Sequence, residues 1–212
     1  MIHHRFFRKA LISSVAPLLL SGGLAMQVTP AIALDSATYA KFNKAGELLR
    51  PVKYREWIFV GSQVTPKDMN DGKPAFPEFH NTYIDPASWH YWKRTGKFRD
   101  GTIFVLEMVN VGDKRAPSGD GYFQDGFGGI AAAVKNKKRF SDRPNNWAYF
   151  GFGDKASAQP QADDACAACH QTNAADDMVF TQYYPVLREA KPENGKKRRG
   201  IGQGSADVKR GQ

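Results

Sequence analysis

The spacing of apolar residues changes along the chain, and each spacing predicts an element. Asp35 and Ser36 suit a helix N-cap, and Tyr39, Phe42, Leu48 and Leu49 follow on a rough helical face, so a helix is expected to about Arg50, where Pro51 ends it. Trp57-Ile58-Phe59-Val60 is a short run of aromatic and β-branched residues, as a strand requires. Residues 61–77 carry Pro66, Gly72, Pro74 and Pro77 between polar side chains, including Lys67 and Lys73, and read as a loop. Phe79, Asn81 and Tyr83 then alternate with His80, Thr82 and Ile84, which predicts a second strand whose two faces are used differently. Asp85 and Pro86 occupy the preferred N-cap and N1 positions of a helix that Gly96 stops. From Thr102 to Val111 the apolar run predicts a long strand buried on both faces; Glu107 is out of place there unless it pairs, for instance with Arg55. A loop over 112–119 precedes a strand from Tyr122 to Val134, where Gly126, Gly128 and Gly129 point to a bulge. Trp147 to Phe152 reads as the last strand, and Asp176 to Ala190 as a helix with Pro185 as a kink or early stop.

Helix, mixed strands and a short C-terminal helical segment together predict an α+β fold, a mainly antiparallel β-sheet with flanking helices. Its core would come from residues 34–190, the size of one domain, and no internal repeat is visible. Residues 1–33 have the layout of a secretory signal: Arg5, Arg8 and Lys9, an apolar run from Ala10 to Leu20, and small residues at Ala31 and Ala33. That run is shorter than the roughly 20 residues a membrane-spanning helix needs. Cleavage after Ala33 and residence in the periplasm are therefore expected.

Charge changes the picture little. The net charge of +9 falls to +6 when the three basic residues of 1–33 are removed, and the stretch 191–212 holds seven basic residues against Glu193 and Asp207. The body is close to neutral. A basic, Gly-rich tail with few apolar residues reads as disordered, either solvated or docking an acidic surface, and nothing in it suggests nucleic acid.

The candidate chemistry sits in Cys166-Ala167-Ala168-Cys169-His170. Two thiols three positions apart, followed at once by an imidazole, are the attachment signature of a c-type haem. The thiols would hold the ring and His170 would be the proximal iron ligand. These are the only two cysteines, too few for a structural zinc site, and a redox dithiol would need no histidine beside it. One motif implies one haem c.

Four segments, "YREWIFVGSQVTP", "EFHNTYIDPASWHYWKRTGKFRDGTIFVLEMVNVGD", "NNWAYFGFG" and "CAACHQTNAADDMVFTQYYPVLREA", resemble in order the cytochrome P-460 family of periplasmic mono-haem proteins, over nearly all of residues 38–190. The resemblance implies an antiparallel sheet, often dimeric, carrying a haem with histidine on one side and an open site on the other. It implies oxidation of hydroxylamine to nitrous oxide or other nitrogen oxides, with a further bond from a lysine to the porphyrin and electrons passed to a periplasmic acceptor such as another cytochrome c. A sister branch, cytochrome c-prime-beta, lacks the lysine bond and binds nitric oxide. By spacing from the haem motif the lysine falls on Lys73, ahead of Lys93 and Lys97, with Phe79 close behind it. The family's proton-accepting glutamate falls near Ala133, where this chain has no carboxylate; Asp142 is the nearest downstream candidate, with Glu78 and Glu107 as alternatives. For a second iron ligand the chain offers His80, His90, Met69, Met108 and Met178; His90, between tryptophans on a short helix, reads as structural, and His80 or a methionine on the iron would make a plain electron carrier instead.

Overall fold

A computed structural model describes residues 37–192. The expected signal segment, the Asp35–Ser36 cap and nearly all of the basic tail lie outside them. The framework is an antiparallel five-stranded sheet in the order β2-β3-β4-β7-β8, where β2 is Ile58–Val64, β3 Phe79–Ile84, β4 Ile103–Val111, β7 Gln124–Lys135 and β8 Trp147–Gly151. Two small pairs flank it: β1 (Leu48–Leu49) with β9 (Ser157–Ala158), and β5 (Arg115–Ala116) with β6 (Gly119–Asp120). Three short helices complete the fold: α1 (Pro86–Thr95), α2 (Ala167–Asn173) and α3 (Pro185–Ala190). The α+β, mainly antiparallel reading is therefore correct. Among the described residues no helix is long and apolar enough to cross a membrane.

Register assigns every strand residue to a face, because directly paired residues project to the same side. One face carries Ile103, Val105, Ile130, Ala132, Val134, Ala148 and Phe150, packed under Tyr39, Phe42, Leu48, Tyr54 and Trp57. On this face Glu107 is buried and accepts hydrogen bonds from Arg55 Nε at 2.8 Å and Tyr54 Oη at 2.9 Å. The suspected Arg55 pair is thus present.

The other face is built in rows. Ile84, Phe104, Ala133 and Tyr149 form one row, Thr82, Leu106, Ala131 and Gly151 the next, and His80, Met108 and Gly129 the third. The register of β4 against β7 shifts beside Val109, and Gly126 and Gly129 take positive φ there, so the glycine-marked bulge is where the sequence puts it.

Helix α1 begins where Asp85 accepts the Ser88 N–H at 2.8 Å and ends at Gly96, whose φ of 65° is left-handed. The second oxygen of Asp85 accepts the Ile103 N–H at 3.0 Å, fixing the helix to β4. Trp92 stacks on Phe98 at 4.4 Å and donates from Nε1 to the Leu187 carbonyl at 2.8 Å, clamping α3 against α1. Full burial of Leu187 in this seam contributes about 2 kcal/mol.

Two expected helices are absent. Residues 37–50 form a turn around Gly46, at φ 81°, with Phe42 bridging Leu48. The Asn43 side chain bonds both the N–H and the carboxylate of Glu47, so local side-chain bonds replace the helical ladder while the same apolar residues still reach the core. Residues 176–190 are a tight Asp176–Val179 turn, a 3₁₀ turn at Thr181–Tyr183 and then α3. Pro185 starts that last helix at N1 rather than stopping one.

Candidate functional site

The Cys166–His170 motif folds as the start of α2 and lies on the row-built face, where Ala167 and Met178 are buried with Trp147 and Tyr149. His170 is held on three sides. Its ring centre is 4.6 Å from that of Tyr149 and 4.6 Å from that of Phe180. Its Nδ1 lies 2.7 Å from the backbone carbonyl of Met178. A carbonyl only accepts, so Nδ1 carries the hydrogen and Nε2 keeps its lone pair, the tautomer a metal-binding imidazole needs. Burial pushes the His170 pKa down, against the raising effect of the Met178 bond, and favours that neutral form.

The carbonyl is presented by an unusual turn. Asp177 and Met178 both adopt left-handed backbone, with φ of 45° and 67°. Ionic contacts hold the turn from both sides: Lys135 Nζ reaches Asp177 at 2.7 Å, and Asp176 accepts from Thr181 Oγ1 and from Lys191 Nζ, each at 2.5 Å. Met178 therefore acts through its backbone, and its side chain is buried packing.

Both cysteines are free. The Cys166 thiol is pushed up by burial and by the neighbouring Cys169, the opposite of an activated redox dithiol. Among the described residues no group of three or more His, Cys, Asp or Glu side chains is placed to hold a metal ion. What the site offers is two thiols outside any disulfide, Cys166 donating to Gln161 Oε1 at 3.2 Å, one imidazole nitrogen with a free lone pair, and small residues (Gly129, Ala131, Ala133, Gly151) on the same face of the sheet. That donor set and that floor fit a flat ring tethered at one edge and ligated from one side.

The loop over 65–78 borders this face at the His80 row, two rows from Tyr149. Thr65 Oγ1 donates to the Phe76 carbonyl at 2.5 Å, closing the loop, and the Phe76 ring meets His80 edge-on at 5.6 Å. Lys73 is exposed within this loop, three residues from Phe76. Lys93 instead lies on α1 with its ammonium over the Trp89 ring at 5.2 Å.

Several candidates are placed elsewhere. Phe79 pairs with Val109 and Val64 and shares its face with Asn81 and Tyr83, so it projects away from the haem motif; the aromatic on the motif side is Phe76. Asp142 is exposed in the β7–β8 connection, whose Phe140 packs into the opposite core. Glu107 belongs to the Arg55 network on that opposite face. Ala133 does lie on the motif side, next to Tyr149, and no carboxylate stands in any of the three rows. The Tyr149–Phe180 clamp and the Met178 carbonyl escaped the sequence reading. The only sign of them was the pair Asp176-Asp177 shortly after the motif, a turn-prone dipeptide inside a segment read as helix.

Compared with known protein families, the chain matches the model described as Cytochrome P460 over residues 51–181. That stretch takes in all five strands of the main sheet and the whole attachment motif. Among curated proteins no match is found.

Proposed function

Because the chain belongs to the cytochrome P-460 family, and so is a haem cytochrome, we propose that it is an exported mono-haem c-type protein that binds and oxidises hydroxylamine. When bound, the haem would supply an iron able to bind a small nitrogen compound and to pass its electrons to a separate acceptor. Cys166 and Cys169 would form thioethers to the ring, and His170 Nε2 would ligate the iron. The observation that carries this reading is the Nδ1 contact of His170 with the Met178 carbonyl, which frees one nitrogen, fixes its direction and strengthens it as a donor.

The remaining roles follow from what each side chain can do. Tyr149 and Phe180 keep the imidazole from turning and keep water from its flanks. Lys73 is placed on a loop at the edge of this face, free of any ion pair, and its amine when deprotonated is the nucleophile that a lysine-to-ring bond needs. Oxidising hydroxylamine removes a proton with each electron, so a nearby base speeds it. The lack of any carboxylate in the three rows favours a second reading, a nitric oxide-binding protein without turnover.

Turnover of purified holoprotein with hydroxylamine and an artificial electron acceptor, with the spectrum of the reduced protein recorded in parallel, tests the proposal. Catalysis and a strongly red-shifted band are expected. An ordinary c-type spectrum, with nitric oxide binding and no turnover, would leave only the second reading.

A further inference from the structure

His80 is half-buried, and its Nε2 is wholly enclosed without a hydrogen-bond partner. Leaving a buried nitrogen unpaired costs of order 1–3 kcal/mol, so such an atom calls for an explanation. Its position supplies one. His80 pairs with Met108, Met108 with Gly129, and two rows along the same face stands Tyr149, the ring that packs on His170. Across the three rows of this face His80 and Tyr149 are the only titratable side chains. Burial holds the Tyr149 hydroxyl far above its ordinary range, which leaves His80 as the one of the two that gives up or takes up a proton readily.

The ring is also kept where it is. Phe76 meets it edge-on from the Lys73-bearing loop, and that loop is closed by the Thr65 bond. Burial lowers the His80 pKa, partly offset by the nearby Glu78 carboxylate, so the neutral ring dominates; a neutral imidazole both donates and accepts hydrogen bonds.

We propose that His80 hydrogen-bonds through Nε2 to a small nitrogen compound held at the open side of the iron, taking a place that no carboxylate in these three rows fills. With the hydrogen on Nδ1, Nε2 accepts an N–H or O–H bond from hydroxylamine; in the other tautomer, Nε2–H donates to nitric oxide. It is a hydrogen-bonding partner of the bound compound and not an iron ligand. This deepens the haem reading above and rests on it.

The test uses full-length holoprotein carrying His80→Gln or His80→Leu, with nitric oxide as the probe. Glutamine keeps a hydrogen-bonding amide near the Nε2 position, whereas leucine keeps only bulk. His80→Leu is expected to release nitric oxide about tenfold faster, and to lose the shift of the N–O stretching frequency between water and heavy water. His80→Gln is expected to keep most of both. The resting iron spin state should be unchanged in either variant. Equal release rates and frequencies in all three proteins would overturn the role of His80 while leaving the haem reading intact. A changed resting spin state would make His80 an iron ligand and overturn it as well. Failure of the unsubstituted holoprotein to bind nitric oxide would instead count against the proposed function itself, and with it this inference.

Discussion

Met178 serves His170 with its carbonyl oxygen and not with its sulfur: the oxygen lies 2.7 Å from Nδ1, and the side chain is buried in the core beside Val179. A methionine eight residues after a haem histidine invites the reading of a second iron ligand. The left-handed backbone at Met178 turns its carbonyl to the imidazole instead.

Substitutions at Met178 should therefore sort by backbone and not by sulfur. Met178→Leu conserves volume and leaves the carbonyl in place, so it should keep haem and spectrum and cost less than about 1.5 kcal/mol. Met178→Pro cannot adopt φ of 67°, because its ring fixes φ near −65°. It should lose the His170 bond, lower haem retention and shift the reduction potential. Haem stain, thermal unfolding and potentiometry on the two variants check this.

The buried Glu107 network should be a matter of stability alone. Burial pushes this carboxyl up, but hydrogen bonds from Arg55 and Tyr54 outweigh that and hold it below the usual carboxylate range. With the folded pKa depressed, its stabilisation is fully present above the unfolded value of about 4.3 and is lost as pH falls through the folded value. Asp176 behaves alike: the Lys191 and Thr181 bonds outweigh burial there. Chemical denaturation across pH 7 to 3 should show stability falling below about pH 4.3, with a shallower fall in Glu107→Gln. At neutral pH that variant should lose about 1–3 kcal/mol while its haem spectrum is unchanged.

How much of this was legible beforehand depends on how local the cause is. The helix between Asp85 and Gly96 has its cap, its N1 proline and its stop written in adjacent residues, and it folds as read. The glycines at 126, 128 and 129 marked the bulge for a similar reason. The helix expected before Pro51 failed because Asn43 and Gly46 close a turn whose apolar residues still serve the core. The segment after the motif failed because Asp177 and Met178 are non-glycine residues in left-handed backbone, held there by Lys135 and Lys191 from elsewhere in the chain. Cys166, Cys169 and His170 can be proposed from the sequence because haem attachment needs a fixed spacing. Which aromatic faces the motif, Phe76 or Phe79, depends on strand register, and one residue of register reverses the answer.

Lys73 is exposed and makes no ion pair, so removing its side chain should change stability by no more than about 0.5 kcal/mol. Any larger effect of Lys73→Ala is then chemical. The proposed lysine bond predicts that the reduced spectrum of this variant reverts to sharp c-type α and β bands. Lys93→Ala should leave the spectrum as it was.

Asp142 offers the opposite expectation. It is exposed in a connection whose Phe140 anchors to the other face of the sheet. Asp142→Asn should leave hydroxylamine turnover within about twofold of the unsubstituted protein, a change below about 0.5 kcal/mol. A loss of tenfold or more in a steady-state assay would return it to the site.

The central claim is that Cys166, Cys169 and His170 hold one haem whose iron takes a single ligand from the chain. Electron paramagnetic resonance of the ferric full-length protein, quantified per chain, tests it most directly. A high-spin signal accounting for one iron per chain is the predicted result. A low-spin signal, showing side chains on both sides of the metal, or no haem iron at all, would contradict it.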